Sequence, residues 1–204
     1  MLRNAVVLCC ALATACGGSS TNPSPSVAAS ASPSGMALVG ATRVTFTGSG
    51  AGAGDGALSY SWSFGDGVSA NGQTVTHVFA TEGTFNVTLT VTDNRGGSAT
   101  AAVVVQARGL SGRWTPLQNG VPGIDATIAQ SGAAITGQST NDCCTHSFVG
   151  EVGDPHAITL VFRFSGCPTE RRTFVGTLAA DFNTITLTGP NCNVPNTTYG
   201  FTRK

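Results

Sequence analysis

The chain has 204 residues, which is enough for one large domain or two small ones. Charged residues make up only 10% of it and the formal net charge is zero, which argues against partners held by electrostatics, such as nucleic acid or an anionic membrane surface. A low charge combined with many small and β-favouring residues is typical of exported all-β domains.

The first fifteen residues are predicted to be a signal peptide. Arg3 precedes a short apolar stretch at 5–13, which is too short for a permanent membrane span. The stretch leads into ATAC at 13–16, which resembles the lipobox of bacterial lipoproteins. That resemblance implies that Cys16 becomes the mature N-terminus and carries the lipid, and acyl chains in pairs anchor a protein stably. Ordinary cleavage after Ala15 is the alternative.

Residues 16–35 are predicted to be the lipidated cysteine and a disordered linker. Their small polar residues and prolines show no apolar periodicity, and such a composition cannot bury a core. Gly17 stands where many lipoproteins of the inner membrane carry Asp. Within the lipoprotein resemblance, this implies the outer membrane or the cell surface rather than the inner membrane.

Residues 36–107 show the two-residue periodicity of β-strands. The segment 58–64 places Leu58, Tyr60, Trp62 and Phe64 on one face. Short strands of this kind, separated by glycine-rich turns at regular spacing, predict an all-β sandwich.

Three segments of this region carry a specific resemblance. SYSWSFGDG at 59–67, HVF at 77–79 and GTFNVTLTVTDNRG at 83–96 resemble the PKD domain, an immunoglobulin-like sandwich. The residues that match the PKD motif are Trp62, Phe64, Gly65, Asp66, Gly67, His77, Phe79, Gly83, Phe85 and Asp93. The resemblance implies structural roles for them. Trp62 is then a core anchor, and Asp66 accepts amide hydrogen bonds across a turn that its two flanking glycines permit.

The aspartates of this domain leave a calcium site open as an alternative. Asp55, Asp66 and Asp93 offer the carboxylate oxygens that calcium prefers. The sequence has no dense Asp-rich ligand loop, so the favoured interpretation is that these aspartates cap turns, and no metal is predicted. His77 stands alone on its strand and is interpreted as a hydrogen-bonding structural histidine.

Residues 109–204 are predicted to form a second domain, a small antiparallel barrel. The eight candidate strands are 111–117, 124–130, 133–140, 146–152, 156–164, 172–180, 183–189 and 197–203. Apolar residues alternate within them and the connections are hairpin-sized, so an up-and-down barrel without exposed edges is the simplest closure.

Two phrases of the second domain resemble the start of avidin-like and lipocalin-like barrels. They are LSGRWTP at 110–116 and ATIAQSGAAITGQST at 126–140. No residue of a biotin pocket can be placed by position, so no ligand is implied. Short strands and large inward residues favour a lumen filled by side chains, with Trp114 plugging one end, and a ligand-holding lumen is the alternative.

Four cysteines fall in the second domain: Cys143, Cys144, Cys167 and Cys192. An even number in an exported domain predicts two disulfides. Sequence neighbours rarely bond each other, so Cys143 and Cys144 are each predicted to pair with one of the other two, in either order. CCTH at 143–146 also suggests a zinc site, but the wider cysteine spacing usual in structural zinc sites is absent.

The sequence contains none of the GxSxG, HExxH, P-loop or dinucleotide-binding motifs. Glu151, Asp154, Glu170 and Asp181 sit at turns or singly on strands, whereas hydrolysis by paired carboxylates needs two acids across a cleft. We therefore predict no enzymatic activity, no catalytic residue and no cofactor.

Together these features predict a non-enzymatic lipoprotein of the cell envelope, with a PKD spacer or adhesion module and a barrel that carries the recognition. PKD-like domains in bacteria commonly accompany secreted hydrolases of polymers, so the resemblance implies contact with extracellular polysaccharide or protein. Two alternatives stay open: a carrier of a small apolar ligand in the barrel lumen, and an accessory subunit of a secreted hydrolase.

Overall fold

The structure, a computed structural model, describes residues 24–52, 56–140, 145–153, 156–165, 171–190 and 197–204. These residues form strands, turns and loops, so the predicted all-β class is confirmed. Within the described ranges there is no helix long and apolar enough to cross a membrane.

The first domain is a sandwich of two sheets. Its strands are β1 (Ser26–Ser32), β2 (Met36–Leu38), β3 (Val44–Ala51), β4 (Ser59–Ser63), β5 (Ser69–Asn71), β6 (Thr74–His77), β7 (Gly83–Thr92) and β8 (Ser98–Arg108). One sheet has the order β1-β3-β6 and the other has the order β2-β8-β7-β4-β5. The pairing of β2 with β8 is parallel.

Strand β1 corrects the sequence analysis, which assigned residues 16–35 to a disordered linker. Ser26–Ser32 pairs antiparallel with β3, from Ser26 opposite Ala51 to Ser32 opposite Thr45. Val27, Ala29 and Ala31 pack against the sandwich core. The prediction failed because alanines contribute little to an apolar pattern, so the period of two does not stand out among serines and prolines.

Aromatic side chains fill the space between the two sheets. Trp62 is only 1% exposed, and its ring centroid lies 5.6 Å from that of Phe46. The indole Nε1 donates a 3.0 Å hydrogen bond to the carbonyl of Gly72, so the polar atom of this buried side chain is paired. Trp62 is therefore a core anchor.

The second domain is a closed antiparallel barrel. Its strands are β9 (Gly112–Gln118), β10 (Val121–Pro122), β11 (Asp125–Ser131), β12 (Ala134–Thr140), β13 (Thr145–Val152), β14 (Ala157–Phe164), β15 (Arg171–Leu178), β16 (Thr184–Gly189) and β17 (Thr197–Arg203). Strands β9 and β11–β17 pair in sequence order, β17 pairs with β9, and β10 adds two residues to β9. The predicted eight-stranded barrel is confirmed.

Aromatic side chains also fill the barrel lumen. The ring of Phe162 lies with its centroid 5.1 Å from that of Phe174 and 5.4 Å from that of Tyr199, and all three residues are buried. Leu178, Phe148 and Phe201 belong to the same buried cluster. Side chains thus occupy the space that the predicted alternative, a lumen ligand, would need.

Trp114 closes the end of the barrel that faces the sandwich. It is fully buried, its Nε1 donates to the carbonyl of Leu110 at 2.9 Å, and the guanidinium of Arg203 lies 4.9 Å from the ring centroid. A cation at this distance over an indole face is attracted to the ring.

Strand β2 connects the two hydrophobic cores. Ala37 is buried in the core of the sandwich, while Leu38 is buried in the core of the barrel and Met36 packs against it. Because successive side chains of a strand point to opposite faces, three residues of one strand contribute to both domains.

Gln130 joins the barrel to the sandwich through its side-chain amide. Its Oε1 accepts a hydrogen bond from the amide of Leu110 at 2.7 Å. Its Nε2 donates to the carbonyls of Val39 at 2.9 Å and Gly132 at 2.8 Å. One side chain of β11 therefore holds the sandwich, the connection between the domains and a barrel hairpin together.

Candidate functional site

The GDG turn of the first domain is held by a hydrogen bond between the side chains of Asp66 and His77. Asp66 Oδ2 lies 2.7 Å from His77 Nε2, and Asp66 Oδ1 accepts a 3.1 Å hydrogen bond from the amide of Val68. The flanking Gly65 and Gly67 have φ of 83° and 91°, a region that side chains disfavour. Partial burial raises the pKa of Asp66, but the hydrogen bonds from His77 and Val68 outweigh it and hold the pKa below its ordinary value.

The remaining PKD motif residues pack around this hydrogen-bonded pair and along β7. The His77 ring stacks on the ring of Phe64, with a centroid distance of 4.1 Å, and makes an edge contact with the ring of Phe79, with a centroid distance of 4.8 Å. Phe79 in turn stacks on Phe85 at 4.4 Å, and Gly83 begins β7. Through these contacts the aromatic motif residues pack against one another inside the sandwich.

Asp93 caps a different turn. Its Oδ1 accepts hydrogen bonds from the amides of Arg95 at 2.9 Å and Gly97 at 2.8 Å. Asp66 and Asp93 therefore each serve a separate turn, and among the described residues no group of three or more potential ligands could hold a metal ion. Asp55, the third residue of the calcium alternative, lies outside the described residues.

Several predicted positions lie outside the described residues. They are Cys16, Cys143, Cys144, Cys167 and Cys192. The strand ends next to the four cysteines of the barrel domain all lie at one end of the barrel. These strand ends are Thr140, Thr145, Phe164, Arg171, Gly189 and Thr197. Lipidation and disulfide pairing stay predictions.

The same end of the barrel contains polar atoms that are buried without a hydrogen-bond partner. Among the described residues, these include Ser139 Oγ, His146 Nδ1 and Thr197 Oγ1. His146 is opposite Ser139 in the ladder and meets the edge of Phe164 with a centroid distance of 4.8 Å. Burial lowers the pKa of His146, so this imidazole is neutral at physiological pH.

Two neighbouring depressions lie on the outer face of the barrel, across β11–β15. One has a volume of about 390 Å³ and runs over β11, β12 and β13. The other has a volume of about 340 Å³ and runs over β13, β14 and β15. Both are lined by Ser147 and Val149 of β13, so they form one continuous surface, which we call the outer groove.

The outer groove combines small apolar, hydroxyl and cationic groups. Val149 is 54% exposed at its centre. Thr127, Thr136 and Gln138 line one depression, and Arg163 and Arg171 line the other. A surface of this composition offers hydrogen bonds and positive charge to a ligand that lies along it.

None of the aromatic residues contributes an exposed ring to the outer groove. All fourteen Phe, Trp and Tyr residues of the chain fall in the described ranges, and none of them is exposed. Sequence analysis did not identify Ser147, Val149, Arg163 or Arg171 as site residues, because only the register of the strands brings them together.

The chain is thus a two-domain all-β protein that consists of a sandwich and a barrel with a filled lumen. The profile of the PKD domain family matches residues 23–107, a range that includes β1, so this part of the chain is a PKD domain.

Two of the solved structures that are similar to the chain are the following. The PKD1 domain of Vibrio anguillarum Epp is 26% identical, with a TM-score of 0.36 over 43% of this chain and 98% of that domain. A structure described as a carbohydrate-binding module of the β-sandwich superfamily with promiscuous specificity is 15% identical, with a TM-score of 0.40 over 88% of this chain and 91% of that one.

Proposed function

We propose that this protein is a non-enzymatic cell-envelope protein that binds extracellular polysaccharide through the outer groove of its barrel. The observation that carries the proposal is the contrast between the two faces of the barrel. Its lumen is packed with buried rings, whereas its outer face has a continuous groove lined by hydroxyl, amide and guanidinium groups. A ligand of this barrel therefore binds to its outer face.

The shape of the groove favours an extended ligand. It crosses five neighbouring strands, and with about 4.8 Å between neighbours the outermost two strands are about 19 Å apart. Several sugar units in a row fit along this length, and their hydroxyls match side chains such as Thr136 and Gln138. The PKD domain then acts as a spacer between the envelope and the barrel.

The anchoring part of the proposal rests on the N-terminal sequence. Cys16 follows the apolar stretch and the small residues of the lipobox-like ATAC, which supports a lipid-anchored protein at the outer membrane or cell surface. Mass spectrometry of the mature N-terminus checks it: a diacylated or triacylated Cys16 supports anchoring, and an unmodified Cys16 contradicts it.

The binding test uses the mature chain and two valine variants. Val149→Glu places a charge in the outer groove, and Val104→Glu places the same charge on the sandwich at a valine that is 51% exposed, close to the 54% of Val149. In pull-downs on insoluble polysaccharides, we expect Val149→Glu to lower retention about tenfold, the effect of roughly 1.4 kcal/mol, and Val104→Glu to leave it unchanged. Equal retention of both variants, or no retention of the unmodified chain on any polysaccharide, contradicts the proposal.

A further inference from the structure

The two arginines of the outer groove face each other directly. Arg163 on β14 is the ladder partner of Arg171 on β15, and both side chains are exposed. Directly opposite residues have Cβ atoms about 5 Å apart, and like charges in that position destabilise a sheet. The fold therefore holds two positive charges together at a cost to its own stability.

No described carboxylate neutralises this pair. The other cations on the outside of the barrel differ in this respect, because Arg113 and Lys204 share Asp125, at 2.6 Å and 3.0 Å. Their hydrogen bonds hold the pKa of Asp125 down at about 2. By contrast, no ion pair joins Arg163 or Arg171 to an acidic side chain among the described residues.

The pair also lies where a ligand in the groove passes. Both arginines line the 340 Å³ depression together with Ser147 and Val161, and Ser147 is the ladder partner of Arg163. A hydroxyl group thus stands beside the two guanidinium groups. Because no exposed aromatic ring is available for stacking on sugar faces, charge and hydrogen bonding have to supply the recognition.

We infer that Arg163 and Arg171 form a carboxylate subsite, and that the polysaccharide is therefore a polymer of uronic acid. This inference rests on the function proposed above. The planar fork of a guanidinium group matches a carboxylate with two parallel hydrogen bonds, and a bound carboxylate between the arginines removes their mutual repulsion. The hydroxyl and amide groups of the neighbouring depression bind the sugar hydroxyls.

The test compares the mature chain on two forms of one polymer, polygalacturonate and its fully methyl-esterified derivative, which keeps the sugars and loses the charge. We expect the acid form to bind at least tenfold more tightly, in line with hydrogen bonds to charged groups, and Arg163→Gln or Arg171→Gln to abolish that difference. Arg43→Gln, which removes an exposed arginine of the sandwich, is the matched control and is expected to keep it.

The outcomes separate the two proposals. Equal binding of the acid and the ester overturns the carboxylate subsite and leaves polysaccharide binding standing, whereas no binding to either form or to any neutral polysaccharide overturns both. Equal loss in Arg43→Gln, or binding of dextran sulfate as tight as that of polygalacturonate, shows general ion exchange and overturns the subsite. Arg163→Gln and Arg171→Gln are each expected to melt at the same temperature as the unmodified chain or at a higher one, because each removes the repulsion between the two like charges. A lower melting temperature in both variants would instead indicate that the arginine pair has a structural role.

Discussion

The Asp66–His77 contact shows how a short motif fixes a turn. A carboxylate between two glycines with positive φ accepts a backbone hydrogen bond on one oxygen and a histidine on the other. The histidine is itself held between two phenylalanine rings. The motif residues therefore act on each other, and the domain gains a turn whose shape depends on one negative charge.

Asp66→Asn is expected to destabilise the sandwich by about 1.5–3 kcal/mol at neutral pH, the usual net value for a hydrogen bond that involves a charge. Because the folded pKa of Asp66 lies below its ordinary 3.8, the carboxylate contributes stability above that value and loses it as the pH falls through the folded pKa. Urea denaturation at pH 7 and pH 3 measures the difference, which should shrink at the lower pH. Asp181→Asn, at an exposed turn, is the control, and an Asp66 effect of the same size at both pH values contradicts the argument.

His146 makes the stability of the barrel depend on pH in a higher range than that in which Asp66 acts on the sandwich. Burial lowers its folded pKa, so the unfolded chain binds a proton more readily near pH 6, and stability is lost as the pH falls below 6.5. The slope from one such group is at most about 1.4 kcal/mol per pH unit.

His146→Phe keeps a ring against Phe164 and removes the titrating group. We expect its free energy of unfolding to fall less between pH 7.5 and pH 5 than that of the unmodified chain. His156→Asn, which removes a half-buried histidine at a position with φ of 77° that Asn tolerates, is the control. A slope in His146→Phe equal to that of the unmodified chain would contradict the buried neutral state.

At the scale of elements, β1 completes the smaller sheet of the sandwich. It adds a third strand to a pair of strands, and its inward side chains cover the core from the edge. Sheets of three or more strands with one packed face are stable where an isolated pair is marginal. The segment Ser26–Ser32 is therefore part of the folded domain.

Two neighbouring alanines test the placement of β1. Ala29 packs inward and Ala28 faces solvent, so Ala29→Asp buries a charge while Ala28→Asp adds the same charge to the surface. We expect a loss of about 1–3 kcal/mol for Ala29→Asp and within about 0.5 kcal/mol of no change for Ala28→Asp. Equal and small effects in chemical denaturation would mean that the segment is an unpaired linker.

At the scale of the whole molecule, the two domains form one unit. Gln130 contacts both of them, β2 contributes to both cores, and Gly40 of the sandwich approaches Gly132 so closely that a Cβ at residue 40 would lie 2.6 Å from the Gly132 Cα. Domains of one chain usually move relative to one another unless their interface is well packed. The joint described here holds the outer groove at a fixed orientation to the sandwich.

Gln130→Ala leaves the Leu110 amide and the Val39 carbonyl without their partner, and buried groups left unpaired cost about 1–3 kcal/mol. We expect this variant to unfold at lower denaturant and to show greater interdomain motion in small-angle X-ray scattering, as a larger radius of gyration. Gln138→Ala, at an exposed glutamine on the next strand, should leave both quantities unchanged. An unchanged radius of gyration in Gln130→Ala would mean that other contacts hold the joint.

The amino-acid pattern was enough to predict the strands of the barrel, the PKD domain and a preference for a filled lumen. Strands such as β14 and β17 alternate large apolar residues with polar ones, and that alternation decides which side chains enter a core. Trp62 and the GDG turn belong to one short motif, so a single stretch of the sequence is enough to identify them. Such features depend on contacts within a strand or a turn.

The remaining features depend on contacts between residues that are far apart in the sequence. Arg163 and Arg171 are eight positions apart, and nothing in that spacing makes them partners until the register of β14 and β15 is set. Gln130 lies on an ordinary-looking strand, and its role depends on Val39, 91 residues away. The assignment of β1 depended on β3 and the core it covers, because its own side chains are too small to show a pattern. Pairing between strands that are distant in the sequence brings these residues to their partners, and a local sequence pattern does not show which strands pair.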